Sequence, residues 1–149
     1  MGLSKGMKHL LLCALVGVFG LTLGGDVGAA EMRASSAAVR KEVIAAIEAQ
    51  LGYFRKGDVA GAFGMASTAL RTQRPAAVFA AMVESGYPEV WANTRAEFGV
   101  VRSDGTKGEV VVQVYSKTGA AAYDYALVKE SNGWRVHGVL RHAPKKEKA

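Results

Sequence analysis

The chain has 149 residues, half of them hydrophobic and a fifth charged, with a formal net charge of +6 and one cysteine. That length holds a single domain around one modest core, and the lone Cys13 excludes a disulfide framework or a cysteine-ligated metal site. Much of the positive excess sits at the C-terminal end, where Arg141, Lys145, Lys146 and Lys148 face only Glu147; no basic stripe interleaved with aromatics precedes it, which excludes a nucleic-acid footprint.

Residues 1–30 read as a secretory signal peptide. Lys5 and Lys8 precede an apolar run from Leu10 to Leu23 broken only by glycine and Thr22, and Gly28 and Ala30 suit cleavage before Glu31. Val27 and Ala29 would serve a cut one residue earlier. The alternative is an uncleaved anchor, although the run is shorter than the roughly 20 residues a spanning helix needs. Cys13 follows Leu10, Leu11 and Leu12 rather than small residues, so lipidation is rejected. The expected product is periplasmic or secreted. Membrane contact is limited to the leader, with a weak contribution from the basic tail, residues 143–149, which is expected to be disordered.

Residues 31–38 are small and polar and read as a flexible start to a single domain over residues 39–142. Apolar residues at Val39, Val43, Ile47, Leu51 and Phe54 predict a long helix from about Ser36 to Lys56, with Ser36 as N-cap and Gly57 just past its end. Asp58 caps a second helix over Val59–Ala66, in which Gly61 and Gly64 permit close packing. Ser67 to Arg74 reads as irregular, Pro75–Ser85 as a third helix, and Pro88–Ala92 as one more turn that places Tyr87 beside Trp91.

From Arg95 the period changes to two. Strands are predicted at Arg95–Arg102, Gly108–Ser116, Ala121–Glu130 and Trp134–His142, joined by short turns that include Asp104-Gly105 and Asn132-Gly133. The expected class is α+β: N-terminal helices on a curved four-stranded antiparallel meander. Alternation puts Val110, Val112, Val114, Tyr123, Tyr125, Leu127, Trp134, Val136 and Leu140 on one face. The other holds Val111, Gln113, Asp124, Ala126, Arg135, His137, Val139 and Arg141, too apolar for a fully wet surface. Either a second subunit covers part of that face, or the sheet closes around the helices and leaves polar groups inside a cavity.

The element order, together with Gln50, Phe54, Gly57-Asp58, Ala62-Phe63, Phe79, Met82-Val83, Gly86-Tyr87, Phe98, Gln113-Val114, Tyr125 and Gly133-Trp134, resembles the nuclear-transport-factor-two-like (SnoaL-like, cystatin-like) cone. More narrowly, the chain resembles the domain-of-unknown-function family 4864. The resemblance implies a curved sheet wrapped around a long helix, a habit of dimerising and a pocket at the open end of the cone. It brings no activity to carry over, and fold alone assigns none.

Three functions follow as expectations. The first is a non-enzymatic module binding a small apolar ligand or a protein partner, with Gln50, Tyr53, Phe79, Tyr87, Trp91 and Trp134 as candidate ligand contacts and a second copy of the chain docked on the outer sheet face. Gln50 is singled out because an amide occupies an apolar helical position, where burial without partners costs about 1 to 3 kcal/mol. The second is a small lyase or isomerase in which Asp124 and His137 form a positioned base; cross-strand pairing of such groups is equally a means of neutralising surface charge. The third is a structural accessory subunit without a pocket. No metal site and no cofactor are expected, because no phosphate loop, nucleophile elbow or His-Glu helix motif is present.

Overall fold

The structure, a computed structural model, describes residues 30–143. The leader and nearly all of the basic tail fall outside the described residues. Within them no helix is long and apolar enough to cross a membrane.

Helix α1 spans Ala37–Arg55, and its first turn is closed by Ser36, whose hydroxyl accepts from the Val39 amide at 3.2 Å. Its apolar stripe is the predicted one: Val43, Ile47 and Leu51 are fully buried, each contributing roughly 1.5 to 3 kcal/mol relative to exposure. Gly57, with φ at +71°, turns the chain out of the helix. Asp58 then caps α2, Val59–Gly64, by accepting from the Gly61 amide at 2.8 Å.

The stretch expected to be irregular contains a further helix, α3, Thr68–Gln73, capped by the Ser67 hydroxyl on the Leu70 amide. A six-residue helix completes too few turns to display an apolar period, so the sequence reading left this stretch irregular. Helix α4, Ala76–Gly86, follows Pro75, and α5, Pro88–Trp91, starts on proline.

The sheet has six antiparallel strands rather than four: β1 Arg33–Ala34, β2 Asn93–Phe98, β3 Arg102–Ser103, β4 Lys107–Ser116, β5 Ala120–Glu130 and β6 Gly133–Arg141. The expected strand Arg95–Arg102 is interrupted. Phe98 faces Val112 and Arg102 faces Glu109, so three residues oppose two on β4, and the surplus carries Val100 out to 68 % exposure while burying Val101. The segment before α1, read as a tether, supplies β1, which covers the free edge of β3 through Arg33 opposite Ser103 and Ala34 opposite Arg102.

A second irregularity revises the face assignment. Ala126 faces Gly138 whereas Leu127 faces Val136, so His137 is an extra residue in β6. Inserting one residue reverses the side-chain alternation beyond it. Val139 and Arg141 therefore face the helices, opposite Tyr125 and Tyr123, and Leu140, expected inside, stands outside at 70 % exposure.

The inner face of the sheet, from Val110, Val112 and Val114 through Tyr123, Tyr125 and Leu127 to Trp134 and Val136, is buried with the apolar face of α1. At the junction of α1, α5 and β2 lies one buried amide. Asn93 donates to the carbonyls of Leu51 (3.0 Å) and Val90 (2.8 Å) and accepts from Arg55 Nε at 2.8 Å. Replacing Asn93 by Ala removes one hydrogen bond from each of two buried carbonyls and the acceptor of the Arg55 Nε hydrogen, so Asn93→Ala is expected to lose about 2 to 3 kcal/mol of unfolding free energy in urea titrations.

Candidate functional site

A cavity of about 340 Å³ opens between α1, α3, α4 and the reversed end of β6. That volume lies in the range of small-molecule sites, about 300 to 1,000 Å³. Phe54, Phe79, Val83, Val136 and Val139 furnish apolar wall. Phe79 is held there by aromatic neighbours on both sides, with ring centroids 6.0 Å from Phe54 and 5.4 Å from Phe63.

Three kinds of polar group reach this wall. Gln50 is buried, and its Nε2 donates to the Ala62 carbonyl at 3.1 Å, tying α1 to α2; among the described residues no donor meets its Oε1. Tyr87 donates its hydroxyl to the Val139 carbonyl at 2.8 Å, fastening the start of α5 to β6 just past the bulge. The Tyr125 hydroxyl is buried with no partner among the described residues, and burial pushes its pKa up. Arg74 is the one charged residue among the described residues of the wall.

Of the six ligand contacts expected from the sequence, Gln50, Phe79 and Tyr87 line the cavity. The other three are placed elsewhere. Tyr53 lies against Gly61, where its ring occupies the space a Cβ would take. Trp91 packs on Phe54 at 5.8 Å, on the side of Arg55 and Asn93. Trp134 donates its indole hydrogen to Glu42 at 3.0 Å and packs near Gly108 at the opposite end of α1.

Asp124 and His137 are not brought together. Asp124 lies on the outer face, half exposed, with His142 Nδ1 at 2.7 Å. His137, raised on the bulge, places Nδ1 2.8 Å from the Ser67 hydroxyl. That hydroxyl already accepts from the Leu70 amide, so it is suited to donate to an imidazole carrying its proton on Nε2. The cross-strand pairing expected of Asp124 and His137 fails because the extra residue changes which β6 position stands opposite Asp124: it is Leu140. Among the described residues no cluster of His, Cys, Asp or Glu is placed to hold a metal ion.

Sequence reasoning also missed a polar cluster beside the cavity. Arg141, turned inward by the bulge, reaches both carboxylate oxygens of Glu89 at 3.0 and 2.8 Å, and the Tyr123 hydroxyl donates to the same carboxylate. Burial works to raise the Glu89 carboxyl, but the Tyr123 hydroxyl, the local backbone amide and the Arg141 guanidinium outweigh it and hold the group below its ordinary value. Burial first and the adjacent carboxylate second push the Tyr123 phenol up to about 12. The only sequence signal was a glutamate in the first turn of α5, which reads equally well as a favourable charge at a helix start.

A family model described as Domain of unknown function (DUF4864) matches residues 36–149. The chain belongs to that family. No curated protein and no solved structure matches it. The DUF4864 match starts at the cap of α1 and takes in all the described residues of the cavity wall, from Gln50 to Leu140.

The Glu89 cluster gives the domain an acid-sensitive tie. A carboxyl whose folded pKa is lowered leaves the unfolded state with more bound protons, so stability rises with pH. The contribution is complete above the unfolded value of 4.5 and disappears as pH falls through the lower folded value. In urea unfolding, Glu89→Gln is expected to be less stable than wild type at neutral pH, and the gap should close as the pH is taken down to about 3.

Proposed function

We propose that the domain is an exported binding module of the nuclear-transport-factor-two-like cone type, and that its cavity takes a small apolar ligand. The observation that carries this reading is the cavity itself: about 340 Å³ of space walled by aromatic and aliphatic side chains, with a few convergent polar groups. Its placement supports the cone assignment, since a long helix crosses the inner face of a bulged antiparallel sheet and the space lies where the short helices close over one end. Export is supported by the basic, apolar and small-residue succession of residues 1–30.

The test uses the protein expressed with its own N-terminus and purified without detergent. Native mass spectrometry is expected to show a retained small molecule of one mass. Leu70→Trp, which places an indole against the cavity from α3, is expected to remove that mass while leaving the far-ultraviolet circular dichroism unchanged. Retention of the same molecule by the variant overturns the reading.

The second half of the proposal is a homodimer through the outer sheet face. Val100, Val111 and Leu140 are exposed at 68, 39 and 70 % and line one shallow hollow with Ala126 and Gly138. Arg102 stands at this hollow with Glu109 and Asp124. A patch bearing both charge signs around an apolar centre is self-complementary across a two-fold axis. Sedimentation equilibrium is expected to give twice the chain mass for wild type and the single-chain mass for Val111→Asp; a single-chain mass for wild type at high micromolar concentration ends the dimer proposal.

A further inference from the structure

We infer that the cavity's occupant is an amphipathic anion: an aliphatic or aryl body held within the apolar walls and one acidic head at the guanidinium of Arg74. The inference deepens the proposed function and rests on the cavity being a ligand site. It starts from the charge of the wall. Among the described residues that line the cavity Arg74 alone is charged and none is a carboxylate, so a cationic head would find no counter-charge from them and an anionic one finds a single partner.

The second observation is how Arg74 is left. It closes α3 as its C-cap residue, on the exposed side of the cavity, and its Nη1 meets only the sulfur of Met82. A thioether is a weak acceptor. Three other arginines meet carboxylates, Arg55 with Glu48 at 3.0 Å, Arg95 with Glu97 at 2.7 Å and Arg141 with Glu89 at 2.8 Å, and Arg40, Arg71, Arg102 and Arg135 donate to backbone carbonyls, whereas Arg74 has neither kind of oxygen acceptor among the described residues. Among the described residues no carboxylate lies within ion-pair distance of Arg74. Its planar fork is thus available for the paired hydrogen bonds that a carboxylate or phosphate accepts.

The remaining polar groups fit the same occupant. Phe79 and Val83, buried members of α4, offer an aliphatic tail hydrophobic contact, while Met82, on the same helix, adapts its shape to what lies beside it. The Tyr125 side chain also lines the cavity, and its hydroxyl is buried without a partner among the described residues.

Isothermal titration of the full chain with dodecanoate, dodecyl phosphate and 1-dodecanol, each below its aggregation threshold, tests this. The acids are expected to bind about tenfold more tightly than the alcohol, a modest factor because the guanidinium is exposed and screened. Arg74→Gln should bring acids and alcohol within about twofold of each other, and Arg74→Lys should restore part of the preference. A tighter dodecyl phosphate assigns the head to a lipid phosphate and a tighter dodecanoate assigns it to a free carboxylic acid; either supports the inference. Equal affinities of acids and alcohol in wild type overturn it while leaving the cavity as a ligand site. Binding of none of the three overturns both.

Discussion

One surplus residue in β6 sets most of what distinguishes this domain. An antiparallel strand alternates its side chains strictly, so without the bulge at His137 the last third of β6 would send Leu140 to the helices and Val139 and Arg141 to solvent. With it, Val139 becomes cavity wall and its carbonyl accepts the Tyr87 hydroxyl, Arg141 reaches Glu89, and Leu140 joins the outer hollow. Cavity, polar cluster and exposed patch are therefore three consequences of a single register change. Gly138, the residue after the surplus one, lines both the cavity and the hollow, so the sheet separates them there by little more than its backbone.

Apolar burial supplies most of the favourable free energy of such a core, but it is non-directional and does not fix how the helices are indexed against the sheet. Here that task falls to a small number of buried polar ties. Gln50 fixes α1 against α2, Asn93 fixes α1 against α5 and β2, and Tyr87 fixes α5 against β6. The start of α3 is held from two sides, by Ser67 with His137 and by the Thr68 amide and hydroxyl on Glu130. Because each tie would leave a desolvated group behind if broken, alternative packings of the same apolar surfaces are penalised. The cavity is flanked by these ties, which explains how space can persist inside a domain whose core otherwise closes tightly.

What the sequence disclosed follows from which signals are periodic. The stripe Val43, Ile47, Leu51, Phe54 gave α1 and its buried face, and Gly57-Asp58 gave the joint to α2, because helical period and cap chemistry are local properties. Gln50 stood out as an amide in an apolar series, and it does line the cavity. The bulges after Phe98 and at His137 were invisible because an extra residue leaves no compositional mark when its neighbours are as apolar as Val100-Val101 or Val139-Leu140. From that one omission came the misplaced Leu140, the unrealised Asp124–His137 pair and the unseen Glu89–Tyr123–Arg141 cluster. β1 and α3 were missed for a different reason: two and six residues are too short for any period to be counted. Arg74 was passed over since a lone arginine before proline reads as loop, and only the arrangement of α3 against α4 shows what it stands beside.

The distribution of titratable groups also bears on what the cavity can do. Positioned acid–base chemistry requires an ionisable group within hydrogen-bond reach of the reacting atoms, and the described residues of the cavity wall include no carboxylate and no imidazole. Asp124, His142 and His137 lie exposed on or beside the sheet, and Glu89 is engaged by Tyr123 and Arg141. Among the described residues the wall is instead neutral apart from one guanidinium, that of Arg74. Such a surface can select among ligands by shape, apolar area and the sign of a single charge. Under the reading proposed above, selectivity between an acid and its neutral analogue would be carried by Arg74, while the apolar walls would contribute about equally to both.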